Sequence, residues 1–123
     1  MRIEYQIIIL LFIHWVADFL FQTKDMATNK SKSNMWLFTH VSTYTTVYGA
    51  VGLFFFPPMQ VIGFCAATFF FHFITDYFTS RLTSKLYAAK KYYGFPSFFS
   101  VIGGDQWLHF VQLILCYTYF TTH

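Results

Sequence analysis

The stretch HWVADFLFQ, His14 to Gln22, lies inside a run from Ile7 to Phe21 that is otherwise almost wholly apolar. A histidine, an aspartate and a glutamine recur there at intervals of four, so a helix stacks them on one face with Cβ atoms about 6 Å apart. The remaining faces are hydrocarbon. The segment therefore reads as a membrane-spanning helix that turns a polar stripe toward its neighbours.

Composition extends that reading to the whole chain. Of its 123 residues, 56% are hydrophobic, 11% are charged and 18 are phenylalanine. A soluble domain of this size has too little interior for so many aromatic side chains. A helix needs about 20 mostly apolar residues to cross a bilayer, and four such stretches are predicted, at about 3–23, 35–56, 59–80 and 103–121. The expected fold is all-α, an integral membrane up-and-down four-helix bundle forming one domain over residues 1–123. The polar stretch from Lys24 to Asn34 is expected to be a loop, and Pro57-Pro58 a tight turn. The third helix is expected to extend amphipathically to about residue 93. There Phe78, Leu82, Leu86, Ala89 and Tyr93 share a stripe, Arg81, Lys85, Lys90 and Lys91 lie off it, and Gly94 and Pro96 stop it.

The charges are sided. Every Lys and Arg except Arg2 falls either after the first span or between the third and fourth, which an alternating bundle brings to one face. That face is predicted to be cytoplasmic, with both termini on the outer side of an inner membrane. The net charge of +3 then suits an anionic leaflet better than nucleic acid, and the lipid bilayer is the expected partner. Trp36 and Trp107 are expected as interface anchors on the cytoplasmic side, Tyr117 and Tyr119 on the other. Cys65 and Cys116 lack CxxC spacing and read as small packing residues. Gly49 and Gly52 permit a close helix contact, and terminal His123 is assigned no role.

The i, i+4 polar pair recurs. His14 and Asp18 form it on the first helix, His72 and Asp76 on the third, and Asp105 and His109 in reverse on the fourth, while the second helix adds His40. At 1.5 Å per residue, nearly all of these lie roughly 3 to 14 Å below the same membrane face. An aspartate near a span's centre costs roughly 2.5 to 3.5 kcal/mol, so three of them need pairing or a ligand. Apart from Glu4 and Asp25, every acid in the chain belongs to one of these pairs. A single shared polar site, closed to lipid and open to the cytoplasm, is expected.

Imidazole nitrogen and carboxylate oxygen are ligands for zinc, and also suit iron or manganese. His14, Asp18, His40, His72, Asp76, Asp105 and His109 are the candidate metal ligands, enough for one ion with supporting partners or for two. A single histidine near an interface also has easy access to water, so His40 admits a structural reading as well. Asp18, Gln22 and Gln106 are the candidate catalytic and substrate-orienting groups, with Lys30 the candidate cofactor- or substrate-binding cation. Such a centre would act as a metal-dependent hydrolase on a lipid-linked substrate. Two other classes fit the same residues: a proton or cation conduit built on the Asp/His pairs, and a non-catalytic membrane interaction protein in which they are packing glue.

HWVADFLFQTKDMATNK, an isolated His40, HFITDYFTSRL and DQWLH together resemble a family of small multi-spanning membrane proteins of bacteria and phages, a domain of unknown function numbered 3307. The likeness covers essentially the whole chain, through His14, Ala17, Asp18, Gln22, Lys30, His40, His72, Asp76, Asp105, Gln106 and His109. It implies a four-helix inner-membrane protein and carries no established reaction. A looser similarity, in style of motif only, is to bacterial membrane-bound metal-dependent hydrolases.

Overall fold

The computed structural model describes residues 1–122, and His123 lies outside the described residues. Those residues form an all-α protein: α1 (Ile3–Trp15), a π-helical turn (Val16–Leu20), α2 (Lys24–Asn29), α3 (Asn34–Gly52), α4 (Pro58–Ala88) and α5 (Phe98–Thr122).

Cross-helix pairs fix the directions of the four long elements. Going up α1 into the π turn, Leu10, His14 and Asp18 meet Tyr48, Tyr44 and His40 going down α3. Gly52 and Gly49 of α3 lie against Val61 and Cys65 of α4. Along α4, Asp76 and Thr79 meet His109 and Asp105 of α5, and Gln6 of α1 accepts a hydrogen bond from Tyr117 of α5. Each neighbouring pair is thus antiparallel. The packed centre is Leu10, Ala17, Tyr44, Tyr48 and Leu113.

Ile3–Leu20 and Pro58–Ala88 are long and apolar enough to cross a membrane. The other two long helices are less apolar. Much of the polarity of α3 is hydroxyl, and it is turned inward on the helix itself: Thr39, Thr43 and Thr46 donate to the carbonyls of Met35, Thr39 and Ser42.

Several boundaries differ from expectation. The first span ends in a π turn, where Phe21 N–H reaches Val16 O at 3.0 Å. The extra residue in this wider turn lets consecutive Ala17 and Asp18 both face the interior. The supposed loop after it contains α2, started by Thr23, whose hydroxyl accepts from Met26 N–H at 3.2 Å, and fixed by buried Met26. The third helix ends at Ala88, short of residue 93, and neither Gly94 nor Pro96 stops it. Lys90 adopts φ 59°, while Lys91 N–H bonds to Leu86 O and Lys90 N–H to Tyr87 O. This is a Schellman closure with lysine where glycine is usual, so the sequence carried no signal for it. The expected stripe is split, with Phe78 and Leu82 exposed and Leu86 buried. Tyr117 is half-buried and donates to Gln6 Oε1 near the start of α1. Both cysteines are free.

The α4–α5 seam depends on Gly63. A Cβ there would lie 2.5 Å from Phe120 Cε1 and 2.8 Å from its Cδ1. Gly63→Ala is expected to force the helices apart and destabilise by about 1–3 kcal/mol. Adding Phe120→Leu should recover most of that loss in a denaturant titration, because the smaller side chain vacates the contact.

Candidate metal centre

The polar pairs meet. His14, Asp18, His40, His72, Asp76 and His109 are all buried, each delivered by a different turn of the four long elements. Three observed i, i+4 contacts match the sequence spacing: His14 Nε2 to Asp18 Oδ2 at 3.7 Å, His72 Nε2 to Asp76 Oδ2 at 3.3 Å, and His109 Nε2 to Asp105 Oδ1 at 3.2 Å.

Between helices the groups form two donor sets that share Asp76. In the first, His40 Nε2 lies 3.0 Å from Asp18 Oδ1, 3.1 Å from Asp76 Oδ2 and 3.4 Å from His72 Nε2. His72 Nε2 lies 3.7 Å from Asp18 Oδ1. Although His40 is this close, Asp18 Oδ1 accepts no aligned hydrogen bond, and His40 Nδ1 is likewise buried without one. In the second set, Asp76 Oδ1 accepts from His109 Nε2 at 3.0 Å, and the same nitrogen faces Asp105. The rings of His72 and His109 stack at 4.1 Å.

His14 falls outside both sets, for a reason that hydrogen-bond chemistry makes plain. A carboxylate only accepts, so the Gln106 amide must turn its Nε2 to Asp105 Oδ2, at 3.0 Å. Its Oε1 then faces His14 Nε2 at 2.7 Å, which donates. In the neutral ring Nδ1 is left to accept from Tyr44 Oη, at 2.6 Å. Gln106 therefore has both ends of its amide committed to holding His14 and Asp105. Gln22 differs, since its Oε1 is buried without a partner.

Lys30 arrives from the segment after α2, and its Nζ lies 3.3 Å from Asp76 Oδ2 with its side chain only 19% exposed. Burial works against its charge, but Asp76, Asp18 and Asp105 outweigh this and hold the ammonium above its ordinary value of 10.5. A cavity of about 190 Å³ opens beside it, bordered by Asp18, Gln22, Lys30, Asp76, Asp105 and Gln106.

The sequence reading missed Tyr44, Tyr48 and Thr79. Tyr44 and Tyr48 follow His40 at the same interval of four, a stripe legible once His40 is taken as inward-facing. Thr79, three residues after Asp76, donates to Asp105 Oδ1 at 2.6 Å, and nothing in a lone threonine marks that.

An antiparallel all-helical protein with a buried Asp/His cluster able to hold a metal ion is thus the class that fold and site define. A family model described as "Protein of unknown function (DUF3307)" matches residues 6–123, and the chain belongs to that family. No curated protein and no solved structure matches it.

Proposed function

We propose that this chain is an integral inner-membrane protein whose Asp/His cluster holds a divalent ion, zinc by preference, and that it is a metal-dependent hydrolase of a lipid-linked substrate. The observation that carries this reading is the spacing of the first donor set. Four donors at zinc's usual bond lengths of about 2.0–2.2 Å sit about 3.3–3.6 Å apart when tetrahedral. Five of the six distances among Asp18 Oδ1, His40 Nε2, His72 Nε2 and Asp76 Oδ2 run from 3.0 to 3.7 Å, and ligand atoms of the four residues all lie within 4.8 Å of one another.

The membrane part rests on a surface turned inside out relative to a soluble protein. Phe12, Phe54, Phe55, Ile62, Phe70 and Leu115 face outward, while aspartates and histidines fill the interior. At 1.5 Å per residue α3 and α5 are about 28 and about 37 Å long, against about 30 Å of hydrocarbon and a working range of about 17–25 residues for a span, so both are compatible with crossing alongside Ile3–Leu20 and Pro58–Ala88. The positive-inside rule puts the Lys30 end in the cytoplasm.

A divalent ion in this site supplies Lewis acidity and activates water at neutral pH. The chain's own groups do the rest. Asp18 Oδ2, left over from the donor set, is positioned to take a proton from water in the cavity. Gln22, unpartnered at the cavity wall, orients the substrate. Lys30, released from Asp76 once an ion neutralises that carboxylate, receives a negatively charged headgroup.

The conduit reading finds less support. From Gln106 the polar chain passes through His14 to Tyr44, and beyond it Tyr48 Oη donates to the backbone carbonyl of Leu10 at 2.7 Å. A carbonyl cannot pass a proton on, and the next space is a cavity of about 320 Å³ whose lining is mostly apolar, Ile9, Ile13, Val51 and Phe64 among it, although Gln6, Gln60 and Tyr117 also border it.

Purified protein in liposomes carrying a panel of lipid esters and lipid phosphates is expected to release headgroups when zinc is supplied. A chelator should abolish the release, and so should His72→Ala with its helical circular dichroism retained. Proton or cation flux without metal-dependent hydrolysis would overturn the enzymatic reading in favour of a conduit.

A further inference from the structure

We infer that the centre takes a second divalent ion, held by Asp76 Oδ1, Asp105 Oδ1 and His109 Nε2, and that the ion pair binds the phosphoryl group of a lipid phosphate monoester. The inference rests on the reading of the first donor set as a metal site and deepens it by naming the substrate class.

Asp76 has two oxygens with different partners. Its Oδ2 faces His40 and His72 at 3.1 and 3.3 Å, whereas its Oδ1 faces His109 at 3.0 Å. A carboxylate so divided is the usual bridge between paired ions, which in two-metal sites stand about 3.5–4 Å apart. The second set has its own supports: Thr79 Oγ1 donates to Asp105 Oδ1 at 2.6 Å and Gln106 Nε2 to Asp105 Oδ2 at 3.0 Å, fixing the carboxylate as outer partners of a ligand do.

The two sets differ in how full they are. The first offers four protein donors and the second three. Three protein donors with a remaining open position is the pattern of a catalytic ion, whereas an ion on the four-donor set would reach water only by expanding to a fifth ligand. Asp76 and Asp105 both border the 190 Å³ cavity, so the open position faces the space that Gln22 and Lys30 also line.

Charge selects the substrate. One divalent ion together with Lys30 just neutralises the carboxylates of Asp18, Asp76 and Asp105, leaving no net charge to match a dianion. A second ion leaves the site with two positive charges, the match for a phosphate monoester dianion. A carboxylic ester would need only one Lewis acid and no such surplus. The cavity's place in a chain with an apolar exterior favours a phosphate carried on a lipid.

Titration of metal-free protein with Mn(II), followed by electron paramagnetic resonance, tests the second ion. Two Mn(II) per chain are expected, the second binding more weakly and producing an exchange-coupled spectrum. Asp105→Asn with His109→Ala should bind one and show the hyperfine pattern of an isolated ion, its circular dichroism unchanged. A single uncoupled ion in the wild type would overturn the second site while leaving the one-ion reading intact, and no bound ion would overturn both. Inorganic phosphate should perturb the coupled spectrum and leave that of the double variant alone. Micellar phosphatidic acid should do so at concentrations at least tenfold lower. No response to either probe would overturn the phosphoryl assignment, and a stronger response to free phosphate would overturn its lipid source.

Discussion

Asp76→Ala is expected to lower ion affinity more than a hundredfold and to destabilise the metal-free protein more than any other single change in the cluster. Among the described residues, Asp76 is the only one whose carboxylate approaches three histidines and a lysine: His40, His72, His109 and Lys30 all lie within 3.3 Å of its oxygens. Removing one partner from a buried charged pair costs about 3–5 kcal/mol because the other is left uncompensated, and here several groups lose the same acceptor. Asp76→Asn preserves volume and one carbonyl oxygen, so it should restore much of the stability and little of the ion binding. Asp25→Asn, at an exposed position, should change neither. Metal analysis and denaturant titration of these variants check both effects, and an Asp76→Ala protein that binds zinc like the wild type would remove Asp76 from the centre.

The second large effect belongs to Lys30. In metal-free protein its ammonium pairs with buried Asp76, so Lys30→Met should cost on the order of 3 kcal/mol. The raised Lys30 value makes this loss pH-dependent. Because the folded value lies above the ordinary 10.5, the lysine's stabilisation is complete below pH 10.5 and fades as pH climbs through the folded value. Alkaline titration should show that fade in the wild type and not in Lys30→Met. A divalent ion reverses the balance, since it and the ammonium compete for one carboxylate. Lys30→Met should therefore bind the ion about five- to hundredfold more tightly, and saturating ion should recover much of its lost stability. Equal affinity in the two proteins would mean that lysine and ion do not share Asp76.

The parts of this structure that sequence made legible are those with a period. Polar residues at intervals of four in apolar runs located the inward faces of α1, α4 and α5, and the matched depth of His14, His40, His72 and His109 correctly brought them to one level. What has no period escaped. The π turn at Val16–Leu20 is a tertiary compromise that lets adjacent residues point inward, and no residue there announces it. The end of α4 relies on a lysine in a conformation normally left to glycine. The placing of His14 outside the donor sets follows from Gln106 and Tyr44 occupying its two nitrogens, a competition visible only when all three helices are in place.

Binding of a divalent ion by the Asp/His cluster separates a metal centre from a hydrogen-bonded core. Elemental analysis of the gently solubilised protein, dialysed against micromolar zinc and freed of excess, measures that directly. At least one zinc per chain is predicted for the wild type, and none for His40→Ala/His72→Ala protein that keeps its helical circular dichroism. A wild-type chain that emerges metal-free, as stable with zinc as without it, would contradict the account and leave the cluster as a hydrogen-bonded core.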